Sequence, residues 1–284
     1  MTALLPVFYT PRMVADSRSF SPSAAKPAKV VERLRALSID LIEPPAATVD
    51  ELSCAHDRAF VEDVLACRTD NGFGNRSPEV AATLPFTTGS MLAAARHVVE
   101  LGGIACAPCS GFHHAGYRLP GGFCTFNGLM VTACALHAAG VKRVAIVDCD
   151  MHYGDGTDEI IDHLAIDWIA HFTAGESFHR PQDAPRFFAE LPERLRGMAA
   201  CDVVLYQAGA DPHVDDPLGG WLTTAELADR DRIVFETFME LGVPVAWNLA
   251  GGYQVEADGS IPKVLEIHDN TAKAALASLR SRRL

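Results

Sequence analysis

The sequence predicts an α/β fold in which helices flank a central parallel sheet. Short apolar runs alternate with longer helical segments along the 284 residues, which is typical of a doubly wound sheet. The run at 144–147 contains only apolar residues, three of the four β-branched, and is too short for a helix. Such a run, bounded by turn residues, indicates a strand buried on both faces. No linker, repeat or change in composition interrupts the alternation, so residues 1–284 are expected to form one domain.

The first third of the chain opens with a short apolar segment, 4–9, and a loop at 17–27 that is rich in Ser, Pro and Ala. The Gly- and Asn-rich segment at 71–78 is a second predicted loop, long enough to form a rim over a site. Apolar spacing predicts helices over 30–37, 51–67 and 87–101, the last ended by Gly102 and Gly103.

The remaining two thirds alternate regularly between strands and helices. Predicted strands cover 104–107, 144–147, 166–170, 203–208 and 243–249. Predicted helices cover 129–139, 158–163, 187–198, 222–241 and 269–280, with Thr223 or Thr224 as the N-cap of the fourth.

Composition limits the function classes. The net charge of −12 argues against a nucleic-acid partner but not against a cationic substrate. No apolar run approaches the roughly 18 residues of a membrane span, and the start of the chain lacks the basic region of a signal peptide. The eight cysteines are scattered and predict reduced thiols in a cytoplasmic protein. The isolated CxxC at 106–109 is interpreted as two buried structural thiols.

Acidic residues concentrate directly after the predicted strand at 144–147. Asp148, Asp150 and His152 alternate along the chain, so an extended backbone places them on one face. In open α/β sheets, ligands bind at the carboxyl ends of the strands. Two carboxylates and an imidazole that converge there are costly unless a cation neutralises them. The alternative is a solvated acidic loop after a core strand, but the apolar residues just before the acids favour a metal site.

Asp211 follows the strand at 203–208 in the way that Asp150 follows its own strand, which makes it the natural third ligand. Asp215 and Asp216, a few residues on, are interpreted as solvated loop charges. Three protein ligands plus an open position for water are typical of a catalytic zinc site, where the metal lowers the pKa of water toward ~7.

Two adjacent histidines, His113 and His114, follow the strand at 104–107. One histidine alone is often a satisfied core residue, but two in a small-residue loop at the same sheet edge indicate a general base and a general acid. Asp148 and Asp155 are candidates to orient these imidazoles by hydrogen bonds.

Two glycine-containing turns complete the candidate site. Gly122 and Phe123 are typical of backbone that passes close to a ligand beside an aromatic wall, although a tight turn with a core Phe fits equally well. Tyr253, after Gly251 and Gly252, can project its phenol into the site and donate to an oxyanion; otherwise it packs under the loop. The whole assembly suits hydrolysis of a carbonyl compound.

Five segments, in chain order, carry a resemblance to a known family: GFHHA, GGFCTFN, VDCDMHYGDGT, GADPHVDDPLGG and NLAGGY. Together they resemble the histone deacetylase / acetylpolyamine amidohydrolase superfamily. The resemblance implies an arginase-like α/β fold and zinc-dependent deacylation of acyl-lysine or another acylated amine.

Carried over by motif, the resemblance implies one zinc ion bound by Asp150, His152 and Asp211. It implies that the catalytic groups are His113, His114 and Tyr253, with Asp148 and Asp155 as partners of the histidines. It implies an acyl channel flanked by Gly122, Phe123 and Phe178.

The chain departs from the family pattern in several places. Tyr153 stands where the family usually has a second histidine, at a position that is not a ligand. The family's structural potassium site uses a serine that residues 167–171 lack. The usual N-terminal segment rich in His, Pro and Glu is also replaced, and the long insertion of polyamine-specific members has no room here.

The leading interpretation is a zinc amidohydrolase that acts on a small acylated amine or acyl-lysine. An arginase-type ureohydrolase shares the implied fold, but its chemistry needs two manganese ions and has no use for tandem histidines with a tyrosine. A catalytically silent binding protein would be expected to lose a ligand, a tandem histidine or the tyrosine, and all are present. A serine hydrolase is disfavoured because no GxSxG motif occurs.

Overall fold

A computed structural model describes residues 4–281. Its centre is a seven-stranded sheet in which every pair of neighbouring strands is parallel. The strands are β1 (Leu5–Phe8), β2 (Ile39–Ile42), β3 (Ile104–Ala107), β4 (Val144–Asp148), β5 (Ile169–Thr173), β6 (Val203–Gly209) and β7 (Val245–Ala250). Their spatial order is β2-β1-β3-β7-β6-β4-β5.

Helices cover both faces of the sheet. One face packs against α1 (Lys26–Leu34), α7 (Ala184–Arg196), α8 (Thr224–Leu241) and α9 (Pro262–Ser281). The other packs against α2 (Val49–Leu52), α3 (Arg58–Leu65), α4 (Pro78–Leu101), α5 (Gly128–Ala138) and α6 (Asp155–His163).

The alternation of side chains along each central strand separates two hydrophobic cores. In β4, Ala145 and Val147 belong to one core, whereas Val144 and Ile146 belong to the other. All four side chains are fully buried, as parallel strands with helices on both faces require. The predicted doubly wound α/β fold is confirmed.

The largest difference from the predicted helices is the start of α4, at Pro78 instead of residue 87. The Ser77 side chain accepts a hydrogen bond from the Val80 N–H and caps the helix, and Pro78 fits the first turn because it needs no N–H partner there. Pro85 lies inside α4, and its carbonyl oxygen accepts a hydrogen bond from the Ala47 N–H. The helix predicted over 51–67 is instead the two short helices α2 and α3.

One strand was not predicted, and the last helix begins earlier than predicted. Strand β2 pairs only with β1, at the edge of the sheet, and its two middle residues are exposed, so it lacks the apolar run of a buried strand. Helix α9 begins at Pro262, one to two turns before the predicted start.

The topology brings four loops together at one edge of the sheet. Strands β3, β7, β6 and β4 are consecutive neighbours, and each is followed by a loop that carries predicted site residues. The carboxyl ends of these four strands therefore define the site. Within residues 4–281, no helix combines the length and the apolar character needed to cross a bilayer.

Candidate functional site

Three potential metal ligands meet at the ends of β4 and β6. Asp150 and His152 follow β4, Asp211 follows β6, and one ligand atom from each lies within 4.8 Å of the other two. His152 Nδ1 is 3.2 Å from Asp150 Oδ1 and 3.0 Å from Asp211 Oδ2. The structure thus brings together the three residues predicted as zinc ligands.

The electrostatics of this cluster favour a bound cation. Asp150 and Asp211 are both buried, and Asp211 Oδ2 has no hydrogen bond of good geometry despite its proximity to His152. Burial and the negative charge of Asp150 raise the pKa of the Asp211 carboxyl to about 7. The hydrogen bond to Asp150 and the nearby carboxylate of Asp211 raise the pKa of His152 to about 11. A divalent cation would neutralise the two buried carboxylates.

The tandem histidines lie beside the cluster, and each is bonded to an aspartate. His113 Nδ1 is 2.6 Å from Asp148 Oδ2, and His114 Nδ1 is 2.6 Å from Asp155 Oδ1. Because a carboxylate only accepts, both Nδ1 atoms carry protons, and both Nε2 atoms are left for chemistry. His113 Nε2 lies 3.5 Å from Asp150 Oδ1, at the edge of the cluster.

The two histidines have different environments. The His113 and Asp148 side chains are buried, whereas the Asp155 side chain is 61% exposed. Burial lowers the pKa of His113, but the charges of Asp148 and Asp150 outweigh it and raise that pKa to about 9. The pKa of His114 is lowered, first by burial and then by the charge of His113. Neighbouring groups whose pKa values are pushed apart are typical of acid–base pairs.

Tyr253 closes the site from the side of β7. It lines a small cavity together with His113 and Asp150. Gly251 has φ +50°, and a Cβ there would lie 2.1 Å from Asp211 Oδ1, so only glycine lets the chain pass the carboxylate. The Tyr253 N–H donates to Asp216 Oδ2 at 2.8 Å.

The prediction that Asp216 is a solvated loop charge is wrong. Its side chain is buried rather than solvated, and burial raises the pKa of its carboxyl to about 6. The neighbouring Asp215 side chain is 76% exposed, as expected for a loop charge.

Gly122 and Phe123 lie next to the tandem histidines. A Cβ on Gly122 would lie 2.3 Å from His114 Cδ2, so the glycine allows the ring to pack directly on the backbone. The Phe123 N–H donates to the Gly72 carbonyl at 3.0 Å, which anchors Phe123 on the predicted rim loop. The Phe123 ring lies 5.6 Å from the Tyr253 ring.

Phe178 is not brought to Phe123. Its side chain is fully buried in the core, with ring centroids 5.2 Å from Phe187 and 5.8 Å from Trp221. A short 3₁₀ turn, Ala174–Glu176, follows β5 and precedes this inward position. The aromatic neighbours of Phe123 are instead Phe20, Phe73 and Tyr253.

Sequence reasoning missed Gln207, which lies fully buried in β6. Its Nε2 donates to Asp148 Oδ1 at 3.3 Å, and its Oε1 accepts from the Phe112 N–H at 3.0 Å. Gln207 therefore ties the partner of His113 to the residue before His113. A polar side chain inside an otherwise apolar strand was the signal that could have found it.

Comparison with known proteins identifies the family. The sequence model of the histone deacetylase domain matches residues 21–167, just over half of the chain. Histone deacetylase 14, chloroplastic, of Arabidopsis thaliana is 25% identical over 266 residues, which cover 77% of this chain and 63% of that protein. Acetylpolyamine amidohydrolase 1 of Pseudomonas aeruginosa is 27% identical over 196 residues, which cover 57% of this chain and 54% of that protein. The chain thus spans between half and two thirds of the length of these curated relatives.

The fold is also found among solved structures. The crystal structure of an acetylpolyamine aminohydrolase from Burkholderia pseudomallei aligns with a TM-score of 0.75 at 19% identity and covers 97% of this chain and 99% of that chain. The domain match, the relatives and the fold agree, and the chain belongs to the histone deacetylase / acetylpolyamine amidohydrolase superfamily.

Proposed function

We propose that the protein is a zinc-dependent amidohydrolase that cleaves the amide of an acylated amine or acyl-lysine. One observation carries the proposal: the Asp150–His152–Asp211 cluster lies between two His–Asp pairs and a tyrosine. The named relatives support it, since both are named for removal of acyl groups from amines.

Asp150, His152 and Asp211 would hold the zinc ion. One imidazole and two carboxylates are a donor set that zinc accepts, and both carboxylates are buried. When bound, zinc polarises a carbonyl oxygen and activates water near neutral pH.

His113 and His114 would act as general base and general acid through their Nε2 atoms. One takes a proton from the attacking water, and the other gives a proton to the leaving nitrogen. Asp148 and Asp155 hold the Nδ1 protons in place and so fix the tautomers.

Tyr253 would donate its hydroxyl proton in a hydrogen bond to the oxygen of the tetrahedral intermediate. Burial, with the charges of Asp211 and Asp150, holds the pKa of this phenol well above its usual value. The hydroxyl therefore stays protonated and remains a donor at any working pH.

Gly122 and Phe123 would form the wall along which the amine stem enters. The glycine lets the chain pass the His114 ring, and Phe123 presents an aromatic surface beside Tyr253. An apolar wall suits the methylene stem of an acylated lysine or small amine.

The test combines metal analysis with activity of the purified chain on a fluorogenic acetyl-lysine substrate and on acetylated diamines. We expect about one zinc per chain and a fall in kcat of ~10²-fold or more in Tyr253→Phe, the scale for loss of one oxyanion donor. Tyr153→Phe is the matched control, because the Tyr153 hydroxyl donates to Asp158 and is not directed at the cavity.

Three outcomes contradict the proposal in different ways. Two manganese ions per chain with urea release from a guanidino substrate would indicate a ureohydrolase. Bound zinc without turnover of any acylated amine would indicate a binding protein. Equal activity of Tyr253→Phe and wild type would remove the tyrosine from the mechanism.

A further inference from the structure

A network of buried charged and polar side chains lies next to the Asp150–His152–Asp211 cluster. Arg230 and Asp231, on α8, are both fully buried. The Asp231 carboxylate also accepts hydrogen bonds from the hydroxyls of Tyr206 on β6 and Thr271 on α9. A buried ion pair contributes little net stability, because desolvation offsets its attraction. Stability alone therefore does not account for the presence of Arg230 and Asp231 in the core.

Arg230 binds the backbone at the ends of the two strands that supply the ligands. Its Nη1 donates to the Cys149 carbonyl at 2.9 Å and to the Gly209 carbonyl at 2.7 Å. Asp150 follows Cys149 directly, and Asp211 lies two residues after Gly209. One guanidinium nitrogen therefore joins the two chain segments that carry the carboxylate ligands.

The two strand ends are as close as their backbones allow. A Cβ at Gly209 would lie 2.5 Å from the Asp150 Cα, so any side chain there would push the segments apart. Arg230 occupies this junction and satisfies carbonyl groups that would otherwise be buried near the ligands without a donor.

The guanidinium is itself held in one orientation. Its Nε donates to Asp231 Oδ1 at 2.8 Å, and its Nη2 lies 2.8 Å from the same oxygen. Tyr206 and Thr271 fix that carboxylate from β6 and α9. Lysine has a single terminal nitrogen and could not contact Asp231 and both carbonyls in this planar arrangement.

We propose that Arg230 is a positioning residue for the metal site: it holds the ends of β4 and β6 at the separation at which Asp150 and Asp211 share one cation. This inference rests on the proposed metal-dependent function. It predicts that metal affinity depends on the geometry of Arg230, not only on the stability that the buried network confers.

The test measures the affinity of Co²⁺ and Zn²⁺ alone for the metal-free chain, with the visible spectrum of the Co²⁺ complex and the melting temperature. In Arg230→Lys, we expect metal binding to weaken by about 10- to 100-fold, the range for partners that orient metal ligands, and the Co²⁺ spectrum to change. Val234→Ala is the matched control: it creates a cavity one turn further along α8 and should lower the melting temperature while leaving affinity and spectrum unchanged.

A second variant keeps the proposal testable if Arg230→Lys folds poorly. Arg230→Met combined with Asp231→Asn removes both charges together and should retain more stability than loss of one partner. We expect its metal affinity to fall as far as that of Arg230→Lys. Wild-type affinity and spectrum in either folded Arg230 variant would overturn the inference, whereas failure of the wild-type chain to bind either metal would overturn the proposed function itself.

Discussion

Asp216 accepts a hydrogen bond from the main-chain N–H of Tyr253 at 2.8 Å. Its other carboxylate oxygen accepts from the Leu218 N–H at 3.0 Å, so one side chain connects the loop after β6 to the turn after β7. The phenol that is proposed to contact the oxyanion is therefore positioned by a residue on a different strand end.

Asp216→Ala is expected to lower kcat by about tenfold with little change in KM, because a displaced Tyr253 would lose contact with the transition state and not with the bound substrate. Steady-state kinetics on an acetyl-lysine substrate measure both constants. The adjacent Asp215→Ala is the control, since that side chain is 76% exposed and should leave both constants unchanged. Equal effects of the two substitutions would show that loop charge, not the position of Tyr253, matters.

The two His–Asp pairs are predicted to differ in their sensitivity to substitution. Asp148→Asn should lower kcat on the order of 10³-fold, because a buried amide can stabilise the wrong tautomer of His113. Asp155→Asn should cost only about tenfold, since the Asp155 side chain is 61% exposed and water can replace it. The metal content of each variant must be measured together with kcat, because Asp148 also accepts a hydrogen bond from the main-chain N–H of the predicted ligand Asp150. A larger effect of Asp155→Asn would reverse this ranking.

The sequence alone predicted the doubly wound sheet and the acids at its edge, because both follow from local patterns. A buried strand is mostly apolar, and polar residues directly after it, such as Asp150 and Asp211, lie at its end. Residues whose roles depend on distant packing escaped this reasoning. Arg230 lies mid-helix, and its contacts with the ends of two strands cannot be read from helical spacing.

The position of Phe178 shows the limit of transferring residues by motif. Its place in the chain after β5 matched the resemblance, but the path of the backbone decides which way the side chain points. Gly175 packs so tightly that a Cβ would lie 2.2 Å from the His152 carbonyl carbon. The following residues then turn Phe178 toward Phe187 and Trp221, away from Phe123.

Removal of the metal is predicted to destabilise the fold. Without a metal ion, Asp150 and Asp211 are buried close together, and burial with the charge of Asp150 raises the pKa of Asp211 to about 7. Binding of zinc at about 1,000 times its Kd should stabilise the native state by about 4 kcal/mol. Thermal unfolding before and after dialysis against a chelator measures the change, and added zinc should restore the melting temperature. An unchanged melting temperature after verified metal loss would contradict a metal site in this cluster.

We predict that titration of His56 lowers the stability of the fold on mild acidification, independently of the Asp150–His152–Asp211 cluster. Its Nδ1 donates to the Gly116 carbonyl at 3.0 Å, and its Nε2 accepts from the Asn127 N–H at 2.8 Å, so the neutral ring is fully satisfied. Burial lowers the pKa of this histidine to about 4. In the unfolded chain His56 binds a proton near pH 6.5, whereas in the folded chain it does so only near pH 4. The contribution of neutral His56 to the free energy of unfolding is therefore complete above pH 6.5 and is lost as the pH falls toward 4.

For His56 alone, this difference amounts to about 2 kcal/mol between pH 7 and pH 5. Urea unfolding of the wild type and of His56→Gln at both pH values isolates the contribution of His56 to the pH dependence of the free energy of unfolding. Glutamine can donate to Gly116 and accept from Asn127 without titrating. The variant should lose less stability on acidification by that amount. Parallel losses in the two proteins would show that His56 titrates equally in the folded and unfolded chains.

Phe20 is predicted to set substrate affinity at the mouth of the site. It is 65% exposed, and its ring lies 5.1 Å from the Phe123 ring and 6.3 Å from the Tyr253 ring. It lines the outer groove that Tyr253 also lines but not the inner cavity that contains His113. A residue placed in this way can contact the stem of a bound amine without touching the reacting atoms.

Phe20→Ala should therefore raise KM by about three- to tenfold with kcat unchanged, which corresponds to the loss of about 1 kcal/mol of aromatic contact in the ground state and transition state alike. The effect should be larger for acylated amines with long methylene stems than for short ones. Leu101→Ala is the control, because Leu101 is equally exposed, at 68%, and ends helix α4 away from the site. A fall in kcat with an unchanged KM would mean that Phe20 acts through the position of Tyr253, and the rim would then belong to the catalytic geometry and not to substrate selection.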